Sequence, residues 1–191
     1  MDYFPLSDEK NNLRLIIGER ISKLQSLADK ESVDEISESN LPNYNVFSYY
    51  GARFILETTS GNSYIFCGDP QNKSMVVHCM KRKISALEYL HEEQSSLEMT
   101  PIDSKDERYT RRFFRDALTE SVANVKIIKI TYPGRGGKRR NERGLELTFS
   151  SGKKIYLGWS LHGNGNGGGL GALSEDELSF PEGTSVSRLD V

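Results

Sequence analysis

A run of cationic side chains between residues 135 and 143 is the strongest chemical feature of this 191-residue sequence. Five of its nine residues are basic, and the glycines among them let the backbone bend around a partner. Because arginine guanidinium groups match phosphate and carboxylate groups in a forked geometry, the run predicts a binding surface. Its predicted contact residues are Arg135, Lys138, Arg139, Arg140 and Arg143.

Three further arginines lie on a predicted helix that would extend this surface by packing beside the loop: Arg111, Arg112 and Arg115. Such a surface suits either an acidic protein face or the phosphate backbone of a nucleic acid. The interval between Pro133 and Gly144 has no aromatic residue to stack on bases, and the ends of the chain are acidic. We therefore expect an acidic protein partner first and a nucleic acid second. A solvated hairpin tip is the alternative that needs no partner.

Metal, nucleophilic and phosphate-loop chemistry have less support. Cys67, His78 and Cys79 are clustered soft ligands, but neighbouring strand residues point to opposite faces of a sheet. The glycine run that follows His162 has no Gly-Lys-Ser/Thr after it, so it indicates a flexible connector. We predict no catalytic residue, no metal and no cofactor. An unrecognised enzyme with a pocket near His78 or His162 is kept as an alternative.

Acidic side chains form the opposite candidate surface. Acidic surfaces can neutralise basic proteins and speed their association, although solvated loops have the same composition. One group lies in the segment after the first predicted helix and another near the end of the chain. The members are Asp29, Glu31, Asp34, Glu35, Glu38, Glu175, Asp176 and Glu177.

The net charge of −2 hides a segregation along the chain. Residues 105–154 carry fourteen basic and six acidic side chains, whereas the segments on both sides are acidic. Two cysteines cannot make a disulfide framework, and no apolar run approaches the roughly 20 residues of a membrane span. With no signal-like N-terminus, we expect a cytoplasmic protein with no membrane partner.

Apolar spacing predicts the elements that would position these surfaces. Steps of three and four predict a helix over 7–30, with two more over 83–94 and 106–123. The expected class is therefore α+β: antiparallel β-hairpins and a meander sheet packed with about three helices. Alternating residues predict the strands 52–58, 63–67, 75–79, 125–132, 145–149 and 154–159.

An internal repeat is visible without gaps, because 54–66 aligns with 145–157 and Ser-Gly falls on Ser-Gly. A helix-then-meander unit used twice would explain the match, and two ordinary hairpins with the same loop length are the alternative. The repeat divides the chain into 1–95 and 106–162, packed together as one domain. Residues 163–191 are predicted to be a Gly-rich flexible tail.

The general layout is a small α+β protein with hairpins, charged loops and no catalytic motif. In this it resembles bacterial toxin-neutralising immunity proteins and phage-encoded inhibitors. That resemblance implies a non-enzymatic protein-binding module that recognises a toxin or another enzyme through charged loops. The alternative functions are a nucleic-acid-associated protein that uses the basic loop and the Arg-rich helix, and the unrecognised enzyme.

Overall fold

Antiparallel strands dominate the computed structural model, which describes residues 2–39, 43, 45–49, 51–72, 74–85, 88–89, 98–132, 141–161 and 169–191. Strands make up 47% of the chain and helices 18%. The strands are β1 (Phe4–Pro5), β2 (Ile21–Asp29), β3 (Gly51–Thr58), β4 (Ser63–Asp69), β5 (Ser74–Met80), β6 (Met99–Asp103), β7 (Val122–Thr131), β8 (Glu142–Phe149), β9 (Lys154–Trp159), β10 (Leu170–Leu173) and β11 (Ser185–Asp190). The described helices are α1 (Lys10–Arg14), α2 (Lys30–Glu38), α3 (Asn45–Tyr49) and α4 (Arg112–Ala117), with a 3₁₀ helix at Glu175–Glu177.

The strands form one curled sheet with two five-stranded halves. Strand order in the first half is β5-β4-β3-β2-β6, and in the second half it is β10-β9-β8-β7-β11. The two-residue strand β1 adds to β5. The halves join where Leu170 of β10 pairs with Gly51 of β3.

Both halves have the same pairing register. In the first half, Leu24 of β2 pairs with Leu56 of β3. In the second half, Val125 of β7 pairs with Leu147 of β8. Each of these strand pairs also has two register shifts of the β-bulge kind, where one strand has an extra residue and the local twist increases. The extra residues lie at matching places: Ser22 in β2 and Ala52 in β3, and Ala123 in β7 and Arg143 in β8. Residues can therefore be compared between the halves position by position.

The halves approach each other at the β-bridge between Arg20 and Ser121, which occupy equivalent positions. Just before the bridge, Glu19 accepts hydrogen bonds from Thr59 Oγ1 (2.7 Å) and from the Ser60 backbone N–H (3.0 Å). Glu120 accepts the equivalent bonds from Ser150 Oγ (3.3 Å) and the Ser151 backbone N–H (2.8 Å). An isolated bridge between equivalent residues is what a local two-fold axis produces.

The main core lies between the two halves and includes buried side chains from both, such as Phe54, Phe66, Leu147 and Phe149. Each half also covers its outer face. Ile84 and Tyr89 close a second apolar cluster over the first half. Leu161, Leu178 and Phe180 contribute to a third cluster over the second half.

The predicted α+β class with about three packed helices is wrong, because the chain is mostly β and its described helices are short. The largest error is the helix predicted over 7–30. Gly18 has a φ of +88° after α1, and the chain then continues as strand β2. The extra residue Ser22 in β2 places buried Ile21 and Leu24 three residues apart on one face, and Leu27 is buried on the other face. A bulged strand covered on both faces thus imitates a helical stripe.

The hairpin strands predicted from alternation are confirmed, since β3, β4, β5, β7, β8 and β9 overlap the predicted segments. The helix predicted over 106–123 is limited to α4, and β6 lies between the two predicted units, outside all of the predicted strands. The helix predicted over 83–94 lies mostly outside the described residues. The predicted tail contains β10 and β11, which pair with β9 and β7.

Candidate interaction surfaces

Most of the predicted basic loop lies outside the described residues, namely Arg135, Lys138, Arg139 and Arg140. Arg143 is described, and it is the second residue of β8, with only 2% of its surface exposed. Its guanidinium carbon lies 5.4 Å from the ring centre of Tyr132 and 5.0 Å from that of Trp159. Such cation–π contacts hold the guanidinium between two rings inside the protein. Arg143 therefore does not present its charge at the surface.

The three predicted arginines of the α4 region each face a carboxylate. Arg111 Nη1 lies 2.8 Å from Glu177, and Arg115 Nη1 lies 3.1 Å from Glu107. Arg112 is the most open of the three, with 84% of its side chain exposed and a 3.5 Å contact to Asp116. These ion pairs satisfy much of the positive charge locally. Among the three, Arg112 retains the greatest freedom to meet a partner.

Glu177 is the centre of a polar cluster that attaches the 3₁₀ helix to the sheet. Tyr49 donates a 2.7 Å hydrogen bond to Glu177 Oε1, and the Ser174 hydroxyl donates one of 2.7 Å to Oε2. Burial, together with the bond to Glu177, raises the pKa of Tyr49 to about 12. With Arg111 also in contact, this cluster joins α3, α4 and the chain after β10, which is a structural task.

An acidic groove lies between α2 and the residue before β6. It has a volume of about 450 Å³ and is lined by six carboxylates and one ammonium group. Glu98 lies just before β6, and its Oε2 atom is 2.8 Å from Lys30 Nζ. The hydrogen bond from Lys30 lowers the pKa of Glu98. The lining residues are Asp29, Lys30, Glu31, Asp34, Glu35, Glu38 and Glu98. Five of these acids belong to the first acidic group predicted from the sequence, whereas Glu98 reaches the groove only through the pairing of β2 with β6.

Two smaller depressions lie at equivalent places in the two halves, and sequence analysis missed both. In the first half the cleft is bounded by α1, the β3–β4 turn and the end of β5. In the second half it is bounded by α4, the β8–β9 turn and the end of β10. The first-half cleft, of about 70 Å³, is lined by Asn12, Leu15, Asn62, Tyr64, Cys79, Met80 and Lys81. The second-half cleft, of about 430 Å³, is lined by Phe113, Gly152, Lys153, Lys154, Ser174, Glu175 and Asp176.

The residues predicted to be weak candidates for metal or nucleophilic chemistry have structural contacts. His78 Nδ1 lies 2.6 Å from the Asp2 carbonyl oxygen, and its ring is tilted against Tyr3. Cys79 packs against the main core, and burial raises the pKa of its thiol, so it is held as the unreactive neutral form. No group of three His, Cys, Asp or Glu side chains that could hold a metal ion occurs among the described residues.

Comparison of the chain with protein-family models, with curated proteins and with solved structures finds no match. Within the described ranges, no helix is both long enough and apolar enough to cross a membrane. Inference about function therefore depends on the surfaces described above.

Proposed function

We propose that this protein is a non-enzymatic protein-binding module that captures a partner with a basic face through the acidic groove. A toxin-neutralising protein or enzyme inhibitor of the cytoplasm is the most specific form of this proposal. The observation that carries it is the charge of the groove, where six carboxylates from two separate parts of the chain meet a single lysine.

The groove keeps most of its negative charge available. Lys30 pairs with Glu98 at the rim, and both side chains of this pair are largely exposed. Glu31, Asp34, Glu35 and Glu38 are exposed along α2. Negative charges this close together make the local electrostatic potential strongly negative, which steers a basic partner toward the groove and speeds association.

Position in the fold also supports an interaction role. Helix α2 belongs to the connection between β2 and β3. The equivalent connection in the second half, between β7 and β8, contains Arg135, Lys138, Arg139 and Arg140. Two equivalent connections of one scaffold thus carry opposite charge, while the sheet that holds them is the same. Function is commonly added to a fold in this way, through its connections.

The test compares a groove variant with a control variant of equal charge change. Asp34→Asn with Glu35→Gln removes two groove charges, and Asp2→Asn with Glu182→Gln removes two exposed charges elsewhere. Full-length chains are used to capture partners from cells that express the protein. Each captured protein is then purified, and its association rate is measured over a range of salt concentrations.

We expect the groove variant to associate with a basic partner about tenfold more slowly at low salt and the control variant to be little changed. Equal behaviour of the two variants would contradict the proposal. Retention of the chain on DNA or RNA at about 50 mM salt, with no protein partner, would instead favour the nucleic-acid alternative.

A further inference from the structure

The first-half cleft leaves apolar surface exposed, whereas most other apolar side chains of the described residues are buried. Leu15 lies at its edge with 48% of its surface exposed, and Ile17 on the same turn is 37% exposed. Tyr64, Cys79 and Met80 are the other apolar residues that line the cleft, beside the polar Asn12, Asn62 and Lys81. Isolated exposed leucines are common, but an exposed leucine at the edge of a depression with further apolar lining forms a patch suited to contact.

The second half provides an internal comparison for this cleft. Because Glu19 and Glu120 are equivalent, Leu15 corresponds to Asp116, and Ile17 corresponds to Leu118, which is 7% exposed. The pairings of Phe66 with Val77 and of Leu157 with Ala172 align β5 with β10. By that alignment, Cys79, Met80 and Lys81 correspond to Ser174, Glu175 and Asp176. At the end of β5, Cys79 and Met80 therefore stand where the second half has Ser174 and Glu175. At the short helix the exchange is the reverse, because Asn12 of the first-half cleft corresponds to Phe113 of the second.

The charge at the rim also differs between the clefts. Among the described residues that line the first-half cleft, Lys81 alone is charged, and exposed Arg82 and Lys83 follow it. In the second-half cleft, lysines and acids balance, because Lys153, Lys154, Glu175 and Asp176 all line it. A ligand of the first-half cleft would therefore meet apolar surface inside and positive charge outside.

We propose that the first-half cleft is an anchor pocket for one apolar side chain that lies within an acidic segment of a partner protein. Its small volume of about 70 Å³ suits a single aliphatic side chain better than a bulky ring system. Leu15 and Met80 contact the apolar group, and Lys81 attracts the flanking carboxylates. A few buried apolar anchors surrounded by polar contacts carry most of the affinity of many interfaces.

This pocket is independent of the acidic groove, because the two surfaces share no residue and select partners of opposite charge. The pocket can fail its test while the groove binds a basic partner, and the reverse is equally measurable. One partner with both a basic and an acidic region could occupy both surfaces.

The test is a titration of the full-length, isotope-labelled protein followed by NMR chemical shifts. The probe is a short capped peptide of Asp and Glu residues with one central leucine. Two reference peptides replace the leucine with serine or the acids with lysine. Variants are Leu15→Asn, which removes apolar surface without adding charge, and Asp116→Asn, the matched change at the equivalent position of the second half.

We expect saturable shifts at Leu15, Tyr64 and Met80, with the leucine peptide binding about tenfold more tightly than either reference peptide. Leu15→Asn should weaken that binding to the level of the serine peptide, while Asp116→Asn should leave it unchanged. Unaltered spectra elsewhere would show that Leu15→Asn folds normally.

Equal binding of the leucine and serine peptides would overturn the proposal, because it would mean that charge alone attracts the probe. Shifts confined to Lys81, Arg82 and Lys83, or no saturable shift with any peptide, would overturn it as well. Weaker binding of the leucine peptide to Lys81→Gln, with its preference over the serine peptide retained, would support the assigned role of the rim charge.

Discussion

The two halves of the sheet share a backbone plan but differ in the residues that face outward. Registers, bulge positions and the glutamate contacts at Glu19 and Glu120 are repeated. The β2–β3 connection is acidic, and the β7–β8 connection is basic. The cleft beside the short helix is lined mainly by apolar residues in the first half and mainly by charged residues in the second. The repeated features are those that backbone geometry requires. The features that differ lie at the surface, where a partner would select them.

The strongest way to test the equivalence is to remove the core anchor of each short helix. Leu13 of α1 and Phe114 of α4 occupy corresponding positions, and both are fully buried in the main core. We expect Phe114→Ala to lower the free energy of unfolding by about 4 kcal/mol and Leu13→Ala by about 3 kcal/mol, since both leave cavities. Chemical denaturation measures the loss. Arg112→Ala, at an exposed position of α4, is the control and should change stability little. A loss below about 1 kcal/mol for either core variant would show that the helices are not equivalent anchors.

A smaller effect should reveal where the halves need different residues. Gly144 and Gly158 pair in the second half, where the first half pairs Arg53 with Cys67. A Cβ atom on Gly144 would lie 2.3 Å from the Leu157 carbonyl oxygen. We therefore expect Gly144→Ala to cost about 2–3 kcal/mol of unfolding free energy, as in overpacked cores. Gly68→Ala is the control, because its nearest neighbour would be a Trp159 ring atom at 3.7 Å. Equal stability of the two variants would mean that the strands can separate at this point.

Sequence reasoning located the hairpins but not the elements around them. Alternation and the Ser-Gly turns were enough for β3, β4, β8 and β9, because a two-residue period is a local signal. Strand β2 imitates a helix in sequence, since the extra residue Ser22 changes its period and no local feature indicates that both of its faces are covered. Strands β6 and β11 gave little signal because they lie at the edges of the sheet and pair only with distant strands.

Surfaces were harder to predict than strands. Clusters within one segment, such as the acids of α2, could be read directly from the sequence. Glu98 joins them only through strand pairing, and the first-half cleft is assembled from three separate segments. Arg143 shows the opposite failure, because charge composition predicts exposure whereas the structure places its side chain between two aromatic rings. The exposure of an arginine depends on its tertiary neighbours.

Arg143 also allows a test that separates folding from partner binding. Its equivalent in the first half is Ala52, which is exposed. We expect Arg143→Ala to lower the free energy of unfolding by about 2 kcal/mol, because two desolvated cation–π contacts are lost. Ala52→Arg should leave stability nearly unchanged. Thermal and chemical denaturation of both variants provides the comparison. If Arg143→Ala were fully stable but lost a captured partner, Arg143 would act at the surface as the sequence predicted.

The smallest expected effect concerns the two repeated glutamates and pH. Hydrogen bonds from the Thr59 hydroxyl and the Ser60 backbone lower the pKa of Glu19, and hydrogen bonds from Ser151 lower that of Glu120. Because each carboxylate has a lower pKa in the folded state, its contribution is present above the ordinary value of 4.5 and is lost as pH falls through the folded-state pKa.

Glu19→Gln and Glu120→Gln should therefore each lower the melting temperature slightly at neutral pH and have no effect in acid, where the wild-type carboxylates are protonated. Melting curves recorded across that pH range measure the difference, with Glu182→Gln as an exposed control. Similar shifts for the two variants would indicate that the repeated contact has the same energetic role in each half. A shift that persisted unchanged in acid would show that the amide disturbs packing and that ionisation of the glutamate is not responsible. If only one variant responded to pH, the halves would share the geometry of this contact but not its stabilising effect.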